Sequence, residues 1–413
     1  MSEHILIVTS VFQPEPIVSA QTSAQIAEAL LKGNHTVRVI TGYPNRPRGE
    51  LYPGYHRHLF EKNIISGHYS IIRCFSIFSK SSTTLSRFLE NISFGFSSGL
   101  ALIFSKKPDV IYANTWPIFA TGIVRWIASL RKIPLVISIQ DVYPESLLSQ
   151  SRLKAGDRVY KILLDLDRWI AQGCQCIISI SDRFARIYCE QRGIPPNRIK
   201  VIPNWMDKNI VTPGSKLEYR KEKGISENAF VLVFGGNIGV AAGVEIFIQA
   251  FKEIKLDCEL IFIIAGSGSQ LAVCQKLALE ITNVKILFHT PWASEDMSKV
   301  LAAADILVLS TFGSQSLVSI PSKFISYLLA ARPVLALSLP ESEITKIILE
   351  RDCGWVVEPD NPEILALMIE KLVYLPGHLL DQKGLAGRNY ALQNLVSEVC
   401  LPKVIDVIEA AAK

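Results

Sequence analysis

The 413-residue chain lacks the features that define several protein classes. The uncharged run at residues 91–105 is interrupted by polar residues and, like every uncharged run of the chain, is shorter than the roughly 18–20 apolar residues that a spanning helix needs. Its eight cysteines include no Cys-x-x-Cys pair, which indicates reduced thiols rather than a zinc or disulfide framework. The start, MSEHILIVTS, has no basic segment before its apolar residues, so we expect no signal peptide and a cytoplasmic protein.

The composition is that of a globular protein with large buried sheets. Hydrophobic residues make up 49% of the chain, whose length allows two domains of about 200 residues each. Residues 1–207 carry a net charge of +9 and the remainder −4, which together give the overall +5. This asymmetry predicts an anionic partner for the first half. Because no nucleic-acid-binding motif is recognisable, a membrane surface or a lipid pyrophosphate is favoured over nucleic acid.

Predicted strands and helices alternate from the N-terminus onward. Strands are expected at Ile5–Thr9 and Val37–Thr41, with a helix over Thr22–Leu31 between them, and this order is typical of a doubly wound α/β sheet. The segment Phe75–Ser105 predicts one or two amphipathic helices. Core packing accounts for most of its apolar residues. A more specific hypothesis is that a minority of them are exposed and contact a membrane. Residues 208–228 are polar, as expected of a linker.

The stretch Ala303–Leu337 has the order strand, polar loop, helix, strand. We predict a helix over Ser322–Ala331 with Pro321 in its first turn. Ser322 and Lys323 are then expected at a helix N-terminus, at the carboxyl end of a parallel strand, which suits a phosphate group. A plain helix start with a solvated lysine is the alternative.

Glycine-containing loops follow two further predicted strands of the second half. Gly235-Gly-Asn-Ile-Gly239 follows Phe230–Phe234, and Gly266-Ser-Gly268 follows Leu260–Ala265. A strand, a glycine loop and a helix in this order are typical of a phosphate-binding cradle.

These motifs together resemble the family-4 glycosyltransferases, in the branch that builds O-antigen, capsule and colanic-acid sugars. The resemblance is carried by three segments: Pro-Ser-Lys at 321–323 with Tyr327 and Arg-Pro-Val at 332–334; Pro-Asn-x-Pro-x-Gly at 44–49; and Asp-Val-Tyr-Pro-Glu-Ser at 141–146. It implies a GT-B architecture of two doubly wound, Rossmann-like domains that face each other. It further implies that residues 1–207, with a crossover helix at 396–413, form the acceptor-side domain and that residues 208–395 bind the nucleotide-sugar.

The resemblance implies transfer of a sugar from a nucleotide-sugar donor to a lipid-pyrophosphate or oligosaccharide acceptor. It implies a reaction that retains the configuration at the anomeric carbon and uses no metal. No cofactor is expected, since the nucleotide-sugar is a substrate. It also implies surface polysaccharide biosynthesis at the inner face of the cytoplasmic membrane, with peripheral attachment.

The resemblance assigns three groups of site residues. The donor-binding group is Gly236, Asn237, Gly239, Gly266, Gly268, Thr290, Pro291, Ser322, Lys323 and Ser326. The catalytic group is Asp141, Glu145 and Asn114, with both carboxylates placed for hydrogen bonds to sugar hydroxyls. The acceptor-side group is Glu15, Arg46 and Arg48. Alternatively, Asp141 caps the following helix. The two arginines could equally belong to a rigid surface loop with no role in binding.

Several positions depart from the family pattern. Asn114 replaces a histidine, and Asn237 and Ala242 replace an arginine and a lysine. Val318 and Ser326 replace two glutamates, and Ser326 can make only a weaker contact with ribose hydroxyls. A non-catalytic nucleotide-sugar-binding subunit therefore remains a second hypothesis. A nicotinamide oxidoreductase is disfavoured because FQPEP, not Gly-x-Gly-x-x-Gly, follows the first strand.

Overall fold

The chain forms two compact units, each built on its own sheet. A computed structural model describes residues 2–46, 48–80, 84–114, 117–149, 154, 156–311, 317, 320–359 and 361–413. The first unit comprises Met1–Asn204 with Glu398–Lys413, and the second comprises Trp205–Ser397.

The described part of the first unit contains one eight-stranded sheet that is parallel except for a single hairpin. Its strands are β1 (His4–Val8), β2 (Thr36–Gly42), β3 (Phe60–Ser66), β4 (Tyr69–Cys74), β5 (Val110–Asn114), β6 (Leu135–Ile139), β7 (Cys176–Ser179) and β8 (Ile199–Val201). Their spatial order is β3-β4-β2-β1-β5-β6-β7-β8, so the winding direction reverses between β1 and β5. Such a reversal opens a crevice at the carboxyl ends of the strands, where doubly wound sheets bind ligands.

Helices cover the faces of this sheet. They are α1 (Val18–Lys32), α2 (Thr84–Phe104), α3 (Ile118–Leu130), α4 (Glu145–Ser149), α5 (Arg158–Gln172) and α6 (Asp182–Arg192). Helices α2 and α3 approach closely because α2 presents glycines: a Cβ atom on Gly95 would lie 3.0 Å from Ala120 Cα, and one on Gly99 would lie 2.6 Å from Ile123 Cγ2.

Two features of the first unit differ from the sequence expectations. Helix α1 begins at Val18 instead of Thr22. The residues before Thr22 extend the helix because Ala20, which lies among them, is packed into the core. The hairpin β3–β4 was not predicted. Almost all of β3 is exposed, so its sequence carries no alternation of apolar and polar residues.

The described residues of the second unit form a six-stranded parallel sheet in the order β11-β10-β9-β12-β13-β14. The strands are β9 (Phe230–Gly235), β10 (Leu260–Ala265), β11 (Lys285–His289), β12 (Ile306–Ser310), β13 (Val334–Leu337) and β14 (Gly354–Val357). All residues of β9, β10, β12 and β13 are buried, as expected for parallel strands covered on both faces.

The helices of this unit include one in the segment that was expected to be a linker. They are α7 (Lys216–Glu222), α8 (Val244–Ala250), α9 (Leu271–Ala278), α10 (Met297–Ala302), α11 (Lys323–Leu329), α12 (Glu343–Glu350), α13 (Pro362–Val373) and α14 (Gly377–Asn394). In α7, Arg220 is buried and donates hydrogen bonds to Ala303 O at 2.7 Å and Asp305 Oδ2 at 2.8 Å. The linker expectation is therefore wrong, because the polar residues of α7 include a buried, fully engaged arginine.

The last helix, α15 (Ser397–Ala412), lies almost entirely within the first unit. Its Glu409 Oε1 is 3.0 Å from Nε2 of the buried His35, just before β2. Among the described helices, none is long and apolar enough to cross a membrane.

Candidate active site

Three loops at the carboxyl ends of β9, β10 and β11 lie side by side. Gly236 N donates to Ala265 O at 2.9 Å, Ile238 N donates to Ser267 O at 2.9 Å, and Gly266 N donates to His289 O at 3.1 Å. These bonds bring together the predicted donor-binding residues of the three loops. The residues are Gly236, Asn237, Gly239, Gly266, Gly268, Thr290 and Pro291.

The glycines are required by close backbone contact. A Cβ atom on Gly266 would collide with Gly236 O, and one on Gly268 would collide with Ile238 O. Gly236 and Gly266 also have φ angles of 145° and 143°, which residues with a side chain rarely adopt. The loops therefore present mainly backbone, and the side chain of Asn237 folds over its own loop, with Nδ2 3.0 Å from where a Cβ on Gly239 would lie.

The Lys323 side chain lies against the first of these loops. Its Nζ is 4.2 Å from the centroid of the Phe234 ring, and a Cβ atom on Gly236 would be 3.4 Å from that nitrogen. Burial lowers the pKa of Lys323 to about 8. Among the described residues, no carboxylate forms an ion pair with it, so its charge is available to an anion beside Gly236.

Helix α11 positions this lysine and is itself tied to the glycine loop. The Tyr327 hydroxyl donates to Gly235 O at 3.1 Å and accepts from Gly235 N at 2.8 Å. Ser322 is the N-cap, so Pro321 precedes the cap and does not lie in the first turn as predicted; α11 is a seven-residue helix. The Ser326 hydroxyl donates to Lys323 O at 2.7 Å. Val318 lies outside the described residues.

Two aromatic side chains that the sequence analysis did not single out adjoin the loops. Trp292 packs under Gly235, where a Cβ atom would be 2.7 Å from its ring, and its buried indole nitrogen has no hydrogen-bond partner among the described residues. Tyr219 of α7 makes a 2.7 Å hydrogen bond through its hydroxyl with Nδ1 of His289. This contact connects the end of β11 to α7.

In the first unit, Glu15 connects the loops that follow β1 and β2. Its Oε1 accepts from Asn45 N at 2.9 Å and Arg46 N at 2.7 Å, and its Oε2 accepts from Phe12 N at 3.2 Å. Burial raises the pKa of Glu15 to about 7, although these backbone donors oppose the shift. Glu15 therefore holds two loops together at the crevice.

The two predicted acceptor-side arginines have different surroundings. Arg46 donates to Glu90 of α2 at 2.7 Å, and Glu90 also pairs with Arg87 at 2.9 Å. Arg48 is exposed. The positive charge of Arg46 is therefore compensated within the unit.

The three predicted catalytic residues follow neighbouring strands. Asn114, at the end of β5, donates from Nδ2 to Thr9 Oγ1 at 3.4 Å, just beyond β1. Asp141 is exposed in the loop after β6. Glu145 begins α4, and its two carboxylate oxygens each accept from Arg192 at 2.7 Å. The structure therefore places all three at the carboxyl edge of the first sheet.

One Asp-x-Asp pair, Asp165 and Asp167, occurs within α5 and is engaged by arginines. Asp165 pairs with Arg168 at 2.8 Å, and Asp167 pairs with Arg192 at 2.9 Å. Burial raises the pKa of Asp167 to about 6. In the described ranges, no group of three or more His, Cys, Asp or Glu side chains is placed to hold a metal ion.

The sequence comparisons match this chain to glycosyltransferases. Residues 20–209 match the family model described as Glycosyltransferase Family 4, and residues 229–374 match Glycosyl transferases group 1. The probable glycosyltransferase WbjE of Pseudomonas aeruginosa is 24% identical over 324 residues, which are 74% of this chain and 79% of WbjE. The putative colanic acid biosynthesis glycosyl transferase WcaI of Escherichia coli K12 is 25% identical over 407 residues, covering 96% and 97%.

Solved structures show the same fold. WaaG, a glycosyltransferase involved in lipopolysaccharide biosynthesis, superposes with a TM-score of 0.68 at 18% identity, covering 98% of this chain and 99% of WaaG. HepE of Anabaena in complex with UDP superposes with a TM-score of 0.69 at 16% identity, covering 99% and 100%.

The two α/β units thus have the GT-B fold, as predicted, and the family models and relatives identify the protein as a glycosyltransferase. The match of residues 20–209 to the Glycosyltransferase Family 4 model, together with the similarity to WbjE and WcaI, confirms the resemblance found in the motifs.

Tyr327→Phe should destabilise the second unit by roughly 1–3 kcal/mol, because it leaves buried backbone groups of Gly235 without their partner. Denaturant unfolding measures the effect, and Tyr374→Phe, at a tyrosine with 63% of its surface exposed, is the control. An unchanged midpoint for Tyr327→Phe would show that the hydroxyl does not hold the loop.

Glu15→Gln should change how stability depends on pH. A carboxyl whose pKa is raised from 4.5 to about 7 binds its proton more tightly when folded, so its contribution is present at low pH and declines as pH rises through 7. The stability of the glutamine variant relative to the parent should therefore rise between pH 5 and pH 8, by up to about 3 kcal/mol. Denaturant unfolding at both values tests this, and a difference independent of pH would contradict it.

Proposed function

We propose that this glycosyltransferase transfers a sugar from a nucleoside-diphosphate sugar, and that the second unit binds the donor. The observation that carries the proposal is Lys323, a lysine without an acidic partner in the described chain, held against Phe234 and Gly236 beside backbone-lined loops. A diphosphate needs compensating charge in a poorly solvated site. Lysine provides it as a point charge beside N–H donors.

The comparisons support the same class of donor. The HepE structures that share this fold contain UDP in one case and UDP-glucose in another. The names of WcaI and WaaG refer to colanic acid and lipopolysaccharide biosynthesis. We therefore infer a lipid-linked or oligosaccharide acceptor in surface polysaccharide synthesis.

The proposed reaction proceeds with retention and without a metal. The bond from the anomeric carbon to the diphosphate breaks, and an acceptor oxygen forms its bond on the same face. The acceptor proton passes to the leaving phosphate, so no strong protein base is required. Lys323 and the loop N–H groups stabilise the negative charge on the leaving diphosphate. Asn114, in place of a histidine, is compatible with this scheme.

A ligand panel tests the proposal directly. UDP, GDP, ADP and their sugars are compared by thermal shift, where a specific ligand raises the midpoint by mass action. Stabilisation by one nucleoside diphosphate and its sugar is expected. Absence of any shift would contradict donor binding.

Lys323→Ala should weaken binding of the selected nucleoside diphosphate about ten- to a hundredfold, since a charged hydrogen bond contributes roughly 1.5–3 kcal/mol. Lys323→Met keeps the aliphatic stem and should lose nearly as much. Because Lys323 has a pKa of about 8 in the absence of ligand, it loses its charge between pH 7 and pH 9, and the affinity of the parent should fall over this range. The affinity of the methionine variant should not show this fall. Calorimetry measures each affinity, with the exposed Lys276→Ala as control.

Two outcomes would overturn parts of this assignment. Parent-like affinity in both folded Lys323 variants would show that the lysine does not contact the donor. Loss of parent binding in EDTA would contradict metal independence.

Peripheral membrane attachment through α2 and α3 is the second part of the proposal. The outer face of α2 exposes several large apolar side chains, including Phe96 at 64% and Phe104 at 81%, and Lys106 and Lys107 follow it. Helix α3 exposes Trp126. Apolar and basic residues on one surface are the combination that binds anionic bilayers.

Sedimentation with anionic liposomes should show binding that decreases steeply as salt rises, because each basic residue near the surface contributes about 1 kcal/mol. The double variant Phe96→Ser, Phe104→Ser should bind more weakly at every salt concentration. Leu279→Ser, at an exposed leucine of the second unit, is the control. Equal binding to neutral and anionic liposomes would contradict the electrostatic contribution.

A further inference from the structure

Arg192, the last residue of α6, is a fully buried cation with every donor engaged. A guanidinium has five N–H donors in a fixed plane. Nε donates to Asp167 at 2.9 Å; Nη1 donates to Glu145 at 2.7 Å and to Gln191 at 3.1 Å; Nη2 donates to Glu145 at 2.7 Å and to Tyr143 O at 3.1 Å. A lysine, with three donors, could not reproduce this arrangement.

The cluster connects three parts of the first unit. Asp167 belongs to α5 and also accepts a 3.0 Å hydrogen bond from the Tyr188 hydroxyl of α6. Tyr143 belongs to the loop 140–144 after β6, and Glu145 begins α4. Arg192 therefore fastens the loop and the start of α4 to two packed helices.

The geometry also limits what Glu145 can do. Both of its carboxylate oxygens are 2.7 Å from Arg192 nitrogens, in a bidentate pair that excludes most of the solvent. Charge-assisted bidentate pairs are among the strongest hydrogen bonds in proteins. Turning this carboxylate toward a sugar would leave the buried guanidinium without compensation.

We propose that Arg192 is a positioning residue for the loop 140–144, and that Glu145 anchors this loop instead of binding sugar hydroxyls. The loop follows β6, which pairs with β5 at Asn114, so it lies at the carboxyl edge where a doubly wound sheet binds ligands. The assignment rests on the proposed function for its catalytic consequence. The anchoring itself does not depend on that function.

Hydrogen exchange of the full chain tests the anchoring without any substrate. Glu145→Gln is the primary variant, because it keeps one acceptor oxygen and removes the charge. Exchange in peptides covering residues 138–148 should be about tenfold faster or more in Glu145→Gln and in Arg192→Lys. Arg198→Lys, which alters an arginine bound to the carbonyls of Gln172 and Cys174, is the matched control and should leave these peptides unchanged. Parent-like exchange in Glu145→Gln would overturn the anchor.

A double-mutant cycle on sugar transfer tests whether Arg192 and Glu145 act as one unit. The probes are the donor selected by the ligand panel and a bacterial total lipid extract. If both residues act through the loop, each single variant and the double variant should reduce transfer to a similar extent, with an unchanged KM for the donor. If the losses of the two single variants multiply in the double variant, the proposal is wrong. A parent that neither binds nucleotides nor transfers sugar would contradict the proposed function, while the exchange data would still decide the anchor.

Discussion

The backbone contact between the loops after β9 and β10 is the constraint on which the proposed donor site depends. Gly266 and Gly268 press against the carbonyl oxygens of Gly236 and Ile238, so no side chain fits between the loops. What remains exposed there is backbone, and the charge has to come from another element. Helix α11 supplies it with Lys323, and the Tyr327 hydroxyl holds that helix to the Gly235 backbone. Geometry and charge at this site thus come from separate parts of the chain.

In each unit a buried arginine also joins several elements. Arg192 binds Glu145 and Asp167 in the first unit, and in the second Arg220 binds Asp305, which also accepts from Val231 N at 2.8 Å. In both cases a planar set of donors joins elements distant in the chain. Removing one partner would leave a buried charge without compensation. The stability lost in this way is far larger than the net stability that the intact pair contributes.

The fold was predictable where local pattern determines structure. The strand Leu260–Ala265 has the predicted bounds, because a strand buried on both faces is a continuous apolar run. The glycine loops and Lys323 were recognisable as short motifs, and their roles in binding stay predictions. Arg192 gave no local signal: Asp167 is 25 residues away and Glu145 is 47, and the partner of Tyr327 is 92 residues away. Only the folded chain brings such partners together.

The helix α15 has a consequence for how the protein is made. The first unit is discontinuous, since Glu398–Lys413 returns to it after the whole second unit has been formed. The contact between His35 and Glu409 spans 374 residues. During synthesis the first unit remains incomplete until Glu398–Lys413 has left the ribosome, although the domain made first ordinarily folds first. A chain truncated before Glu398 would therefore lack part of the first unit, although it would contain residues 1–204 in full.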